Sequence, residues 1–96
     1  MDKQQILNTL ASRKDEIATD FKAEIKGIFG SYAQGKQNKN SDLDVLVEFL
    51  PGATLFDCVN LKMFLEEITG LEIDLVSQKA IRDELKKSIY EDLVTL

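Results

Sequence analysis

Gly30-Ser31-Tyr32-Ala33-Gln34-Gly35-Lys36-Gln37-Asn38-Lys39-Asn40-Ser41-Asp42-Leu43-Asp44 is the stretch on which the fold turns. It opens with a Gly-Ser pair at the end of the apolar run Ile28-Phe29. It closes with two aspartates, one residue apart, at the head of the run Val45-Leu46-Val47. The flanking runs read as strands over residues 24–29 and 43–49; the second is apolar on both faces, as a central strand is. Residues 31–35 read as one short helical turn. Residues 36–41 form a polar, Asn-rich loop of the kind that carries function on a rigid scaffold. Gly27, inside the first strand, marks a place where another backbone comes close.

Working outward, residues 2–20 read as one amphipathic helix, with Ile6, Leu7, Leu10, Ala11 and Ile17 at helical spacing. Downstream, Pro51-Gly52 ends the second strand. Residues 55–68 predict a second helix with Leu61, Phe64, Leu65 and Ile68 at i, i+3, i+4 and i+7, capped by Gly70. Residues 71–76 predict a third strand with Asp74 in its middle, and residues 81–93 a last helix burying Ile81, Leu85 and Ile89. Helices alternating with strands predict an α/β (α+β) fold, one domain over residues 1–96, its sheet covered mainly on one face. The order of the strands is left open by the pattern.

At 96 residues, 44% hydrophobic and 30% charged, the composition is that of a folded globular domain. No apolar run reaches the roughly 18 residues of a membrane span and no leader is visible, so the expected location is cytoplasmic. The absence of histidine excludes Ser-His and Cys-His catalysis and any His-bearing zinc site. Cys58, the one cysteine, cannot form an intrachain disulfide and reads as a buried structural thiol among Phe56, Val59 and Leu61. The net charge of −5 argues against a chain that coats nucleic acid. That charge is uneven: residues 1–41 carry seven Lys and Arg against five Asp and Glu, whereas residues 42–96 carry five against twelve. A cationic approach therefore leads to an anionic cluster, an arrangement suited to a metal-bound polyanion.

Carboxylates must then carry any acid, base or metal role. Asp42 and Asp44, two apart on a strand, project to the same side, and Asp74 joins them if the third strand pairs beside the second. Three hard oxygen ligands on rigid elements suit Mg²⁺, completed by water and phosphate oxygens. At the other end of the stretch, Gly30 and Ser31 offer backbone donors at a helical start, a hydroxyl, and room for a phosphate. In-line displacement at phosphorus needs chiefly positioning and charge neutralisation, which this combination supplies without histidine. Asp74 is the candidate to take a proton from an attacking hydroxyl.

Gly30-Ser31, ten residues, then Asp42-x-Asp44 resembles the motif of the minimal nucleotidyltransferase family, within the polymerase beta-like nucleotidyltransferase superfamily. Ile28-Phe29, Ser41 and Glu72-Ile73-Asp74-Leu75-Val76 also sit where that family has them. The resemblance implies a small mixed sheet and specific roles. Gly30, Ser31, Gln34 and Ser41 would contact ATP; Asp42, Asp44 and Asp74 would be catalytic and would hold two Mg²⁺ ions. One departure is Gln34, where many relatives carry a basic residue; triphosphate binding would then depend more on Lys36 or Lys39.

Larger superfamily members bind the acceptor with an additional domain, so here the acceptor is expected to come from another molecule. Small members act typically as antitoxins beside a HEPN-domain ribonuclease toxin and transfer AMP to a tyrosine of that partner. This implies a protein adenylyltransferase that assembles with a HEPN-type toxin and releases pyrophosphate. The alternative from another class is a non-catalytic antitoxin that neutralises its partner by occlusion.

Overall fold

The computed structural model describes residues 1–96. Its chain begins with α1 (Lys3–Ser12) and α2 (Lys14–Phe21), followed by β1 (Ala23–Phe29), α3 (Gly30–Gln34) and β2 (Leu43–Phe49). After these come α4 (Leu55–Thr69), β3 (Ile73–Ser77), a 3-10 turn (Gln78–Ala80), α5 (Asp83–Asp92) and β4 (Val94–Thr95). The sheet is mixed, in the order β3-β2-β1-β4. β1 runs antiparallel to β2 and to β4, whereas β2 and β3 are parallel and joined by α4.

The predicted first helix is two. Arg13 leaves the helical region at φ −108°, ψ 11°, and α2 restarts from it. Asp2 opens α1 with a capping box: its carboxylate accepts from the Gln5 N–H at 2.8 Å, and its own N–H donates to the Gln5 side chain at 2.9 Å. The break lets α2 bring Ile17, fully buried, onto the same core as Ile6 and Leu10. Phe21 packs on Phe64 of α4 with ring centres 5.0 Å apart.

That core lies on one face of the sheet. Leu43, Val45 and Val47 of β2, with Ala23, Ile25 and Ile28 of β1, meet Ile6, Leu10 and Ile17 and the inward residues Leu61 and Leu65 of α4. Leu61 makes a direct test of this assignment. Leu61→Ala should lower unfolding stability by about 3 kcal/mol, read from urea unfolding curves with an unchanged slope. A loss under about 1 kcal/mol would place the side chain outside the packed core.

A bulge in β1 sets up the opposite face. The pairing slips between Ile25 and Gly27, so Ile25 and Ile28 both point into the core although they are an odd number of positions apart. Phe29 is thereby turned to the face that carries Asp44 and Leu46. Leu46 is fully buried and Ile81 nearly so, yet both lie outside the main cluster. They lie where the 3-10 turn and the residue after it pack on the other face of the sheet, a thin layer, so the helices cover mainly one face, as the sequence implied. Gly27 has the predicted close approach: an added Cβ would run into the backbone carbonyl of Val94 in β4.

Two expectations need correction, and the setting of Asp74 is new. α5 buries none of its own residues and Leu85 is 49% exposed, because Ile81 lies ahead of the helix and does the packing predicted for the helix itself. Cys58 is only half-buried, since α4 turns Phe56 and Val59 outward and Leu61 inward. Asp74 is exposed, because β3 is an edge strand and not an interior one.

Candidate active site

Cα pairing aligns Phe29 with Asp44 and Asp44 with Asp74, a row across three adjacent strands. Gly30 follows Phe29 directly, so the end of β1 meets the Asp44 side chain. Gly30 has φ +74°, and a Cβ built there would collide with the Asp44 carboxylate. The sequence reading assigned the missing side chain to phosphate approach; the neighbour it first makes room for is Asp44. This contact links the two ends of the Gly30–Asp44 stretch.

The helical start beyond Gly30 is open. Phe29, at the cap position of α3, provides no side-chain cap, and the first N–H groups of any α-helix lack intrahelical partners. Ser31 is partly exposed at this start, while Tyr32 and Ala33 are buried beneath it and anchor the short helix. Gly35 closes α3 in the left-handed region, its N–H on the Tyr32 carbonyl and the Lys36 N–H on the Ser31 carbonyl.

The connecting loop is held by its own side chains. The Asn38 carboxamide oxygen accepts from the Asn40 N–H at 2.8 Å, and the Ser41 hydroxyl oxygen accepts from the Asn38 N–H at 3.0 Å. Ser41 therefore shapes the turn that delivers Asp42. The Leu43 N–H then donates to the Glu72 carbonyl at 2.8 Å, fixing the head of β2 beside the approach to β3.

Asp42 is exposed and Asp44 half-buried. Burial, the adjacent Asp74 carboxylate and then Asp42 push the Asp44 carboxyl up to about 6. Asp44 thus bears a desolvation cost. No three acidic side chains converge tightly enough to hold a metal as they stand. Backbone register sets Asp44 beside Asp74, and Asp42, just ahead of β2, lies close enough to act on the Asp44 carboxyl; like charges without a cation between them repel.

Of the three clefts that adjoin the cluster, two are lined by Asp42 or Phe29. One, of about 280 Å³, is lined by Tyr32, Lys39, Asn40, Ser41, Asp42 and Glu72, among others. The other, of about 420 Å³, runs beneath α5 from Phe29 to Asp74 between Val76, Ile81, Leu85 and Ile89. Lys39 thus reaches the polar cleft that Asp42 lines. Gln34 is turned elsewhere: its amide donates to the Asp92 carboxylate at 2.6 Å, tying α3 to the end of α5. This tie spans 58 residues. The α5 cleft has no local signature: Ile81, Leu85 and Ile89, whose spacing predicts the packed face of a helix, line it instead.

A mixed sheet that sets aspartates from two strands against a Gly-Ser helix start defines a nucleotidyltransferase-type α/β domain. The chain belongs to the family described as "Nucleotidyltransferase domain", whose profile matches residues 6–96. It is 31% identical over 91 residues to the protein adenylyltransferase MntA of Thermococcus cleftensis, covering 95% of this chain and 92% of that protein. A solved structure described as a minimal nucleotidyltransferase superposes with a TM-score of 0.76 and 33% identity, covering 100% of this chain and 97% of that one. A second, a toxin-antitoxin complex with AMP-PNP, gives a TM-score of 0.62 and 26% identity over 81% of this chain and 61% of that one. No helix of the chain is long and apolar enough to cross a membrane.

Proposed function

We propose that this chain transfers AMP from ATP to a tyrosine hydroxyl of a HEPN-type ribonuclease toxin, releasing pyrophosphate, and so acts as the toxin's antitoxin in the cytoplasm. The observation that carries this reading is the Phe29–Asp44–Asp74 row with Gly30 set against Asp44. The similarity to a protein adenylyltransferase, and to a toxin-antitoxin complex with a nucleotide analogue, supports it.

In this reading the triphosphate lies along the start of α3, on the backbone N–H groups after Gly30 and the Ser31 hydroxyl. Lys39 supplies positive charge from the cleft beside Asp42. Adenosine fits the apolar cleft beneath α5, between Phe29, Val76 and Leu85. Asp42, Asp44 and Asp74 are the hard oxygen donors that would hold two Mg²⁺ ions, which when bound neutralise phosphate charge and lower the pKa of a coordinated hydroxyl. Asp74, exposed at the sheet edge, accepts the phenolic proton. The tyrosine oxygen forms a bond to the α-phosphorus as the bond to the α,β-bridging oxygen breaks, and pyrophosphate leaves with that electron pair.

Gln34 does not mark a decayed site on this view. Its amide donates to the Asp92 carboxylate, so the residue has a structural part in tying α3 to α5. Incubation with radiolabelled ATP, magnesium and the HEPN-domain protein encoded in the same genome should move label onto a tyrosine of that protein. ATP bound with no label ever reaching the acceptor would sink the transferase reading and leave occlusion in its place.

A further inference from the structure

α4 is apolar on two opposite faces. Its inner face, with Leu61 and Leu65, is in the core. On its outer face Leu55 is 78% exposed, Phe56 80%, Val59 50% and Met63 62%. At 100° per residue these four fall within one stripe directly opposite Leu61. Single exposed apolar residues are ordinary, but a contiguous stripe of four large ones on one helix marks an interaction surface. The stripe borders a groove of about 440 Å³, lined by Cys58, Val59, Lys62 and Met63 of α4 with Asp74 and Leu75 of β3. Asp74 lines this groove and also the cleft beneath α5. It therefore stands where the two meet, with the nucleotide side of the site on one flank and the apolar stripe on the other.

We propose that the outer face of α4 and the edge of β3 form the docking surface for the protein acceptor, which lays an apolar surface on Leu55, Phe56, Val59 and Met63. The acceptor passes its tyrosine side chain along the groove to Asp74. This rests on the adenylyl-transfer reading, which requires an incoming hydroxyl to reach Asp74 from the flank opposite α3. Charge favours such a partner over a second copy of this chain. Residues 42–96 carry a net −7, and the groove is lined by two carboxylates, Glu66 and Asp74, against one cation, Lys62, so a partner with basic residues around its apolar patch is complementary. A two-fold contact through the same face would bring like surfaces together and would cover the exposed Asp74.

The test is a triple variant, Phe56→Gln, Val59→Gln, Met63→Gln. It keeps good helix formers at solvent-facing positions and adds no charge. Calorimetry of the full chain with the HEPN-domain protein encoded in the same genome should show Kd raised at least tenfold. Affinity for a fluorescent ATP analogue should stay within twofold. In the transfer assay KM for the acceptor should rise similarly, with kcat within about threefold. An unchanged acceptor Kd overturns the docking proposal, whether or not the variant also shifts a dimer to monomer in sedimentation. Failure of the adenylyl-transfer reading looks different: the wild-type chain would bind the acceptor and ATP but leave the acceptor unlabelled. Asp74→Asn should separate the two, losing transfer while keeping the acceptor Kd within about threefold.

Discussion

Asp44→Asn should abolish transfer while making the metal-free protein more stable above pH 6. In the folded chain the Asp44 carboxyl holds its proton to about pH 6, against an ordinary value of 3.8. Between those values the folded state binds more protons than the unfolded one, so stability falls as pH rises through the window, and the whole penalty is present above pH 6. The difference between 3.8 and about 6 corresponds to about 3 kcal/mol; solvent screening at a half-buried group reduces it to about 1–2 kcal/mol. Asparagine keeps the shape and removes the charge. Urea unfolding in EDTA should therefore show the variant more stable by about 1–2 kcal/mol at pH 7.5 and nearly equal at pH 4. An equal difference at both values would mean that charge is not the cause. Magnesium should stabilise the wild type at pH 7.5 and the variant much less, since a divalent ion cancels the repulsion that asparagine removes. Transfer should drop at least about 10³-fold, the scale of several kcal/mol of lost charge stabilisation at phosphorus. If the variant still neutralises the toxin, occlusion is the mechanism; if it binds the toxin and fails to neutralise it, catalysis is.

The parts of this site that the sequence revealed are those with local signals. Leu43–Phe49 is the strand expected from its apolar run, and the helix expected over 55–68 is found as Leu55–Thr69, with Gly70 closing it at φ +69°. The Gly-Ser pair and the aspartates could be placed because each residue type has its own conformational or chemical demand. What stayed hidden was register. Nothing in the local pattern says that Asp44 sits opposite Asp74, or that a slip at Lys26 turns Phe29 onto the same face. The break at Arg13 was invisible because both halves continue one amphipathic spacing. β4, two residues long, is too short for any period. Asp74 has apolar neighbours in sequence, yet the edge position of β3 leaves it exposed, which no local pattern announces. Gln34 and Asp92 are joined by a bond that no spacing rule anticipates.

Gly30→Ala should be nearly as damaging as losing an aspartate, although it removes no functional group. Two costs add at this position. Its φ of +74° lies in the left-handed region, where a Cβ costs roughly 1–2 kcal/mol. The new methyl is also driven into the Asp44 carboxylate, whose own strand is fixed by pairing on both sides. Either Asp44 rotates away from Asp74 or the start of α3 retreats from the aspartates. Both displace one half of the site from the other by about the 1 Å that can cost 10²-fold in rate. Transfer should fall by about 10²-fold or more, with stability lower by roughly 2–3 kcal/mol. Gly35→Ala is the matched control, for Gly35 has φ +72° but nothing within 4 Å of an added Cβ. It should lose roughly 1–2 kcal/mol of stability for the backbone conformation alone and keep transfer within a fewfold of wild type. Comparable transfer losses in the two variants would show that backbone strain in α3, and not contact with Asp44, governs the site. A large loss confined to Gly30→Ala would instead make the spacing between the helix start and Asp44 the quantity that the missing side chain protects.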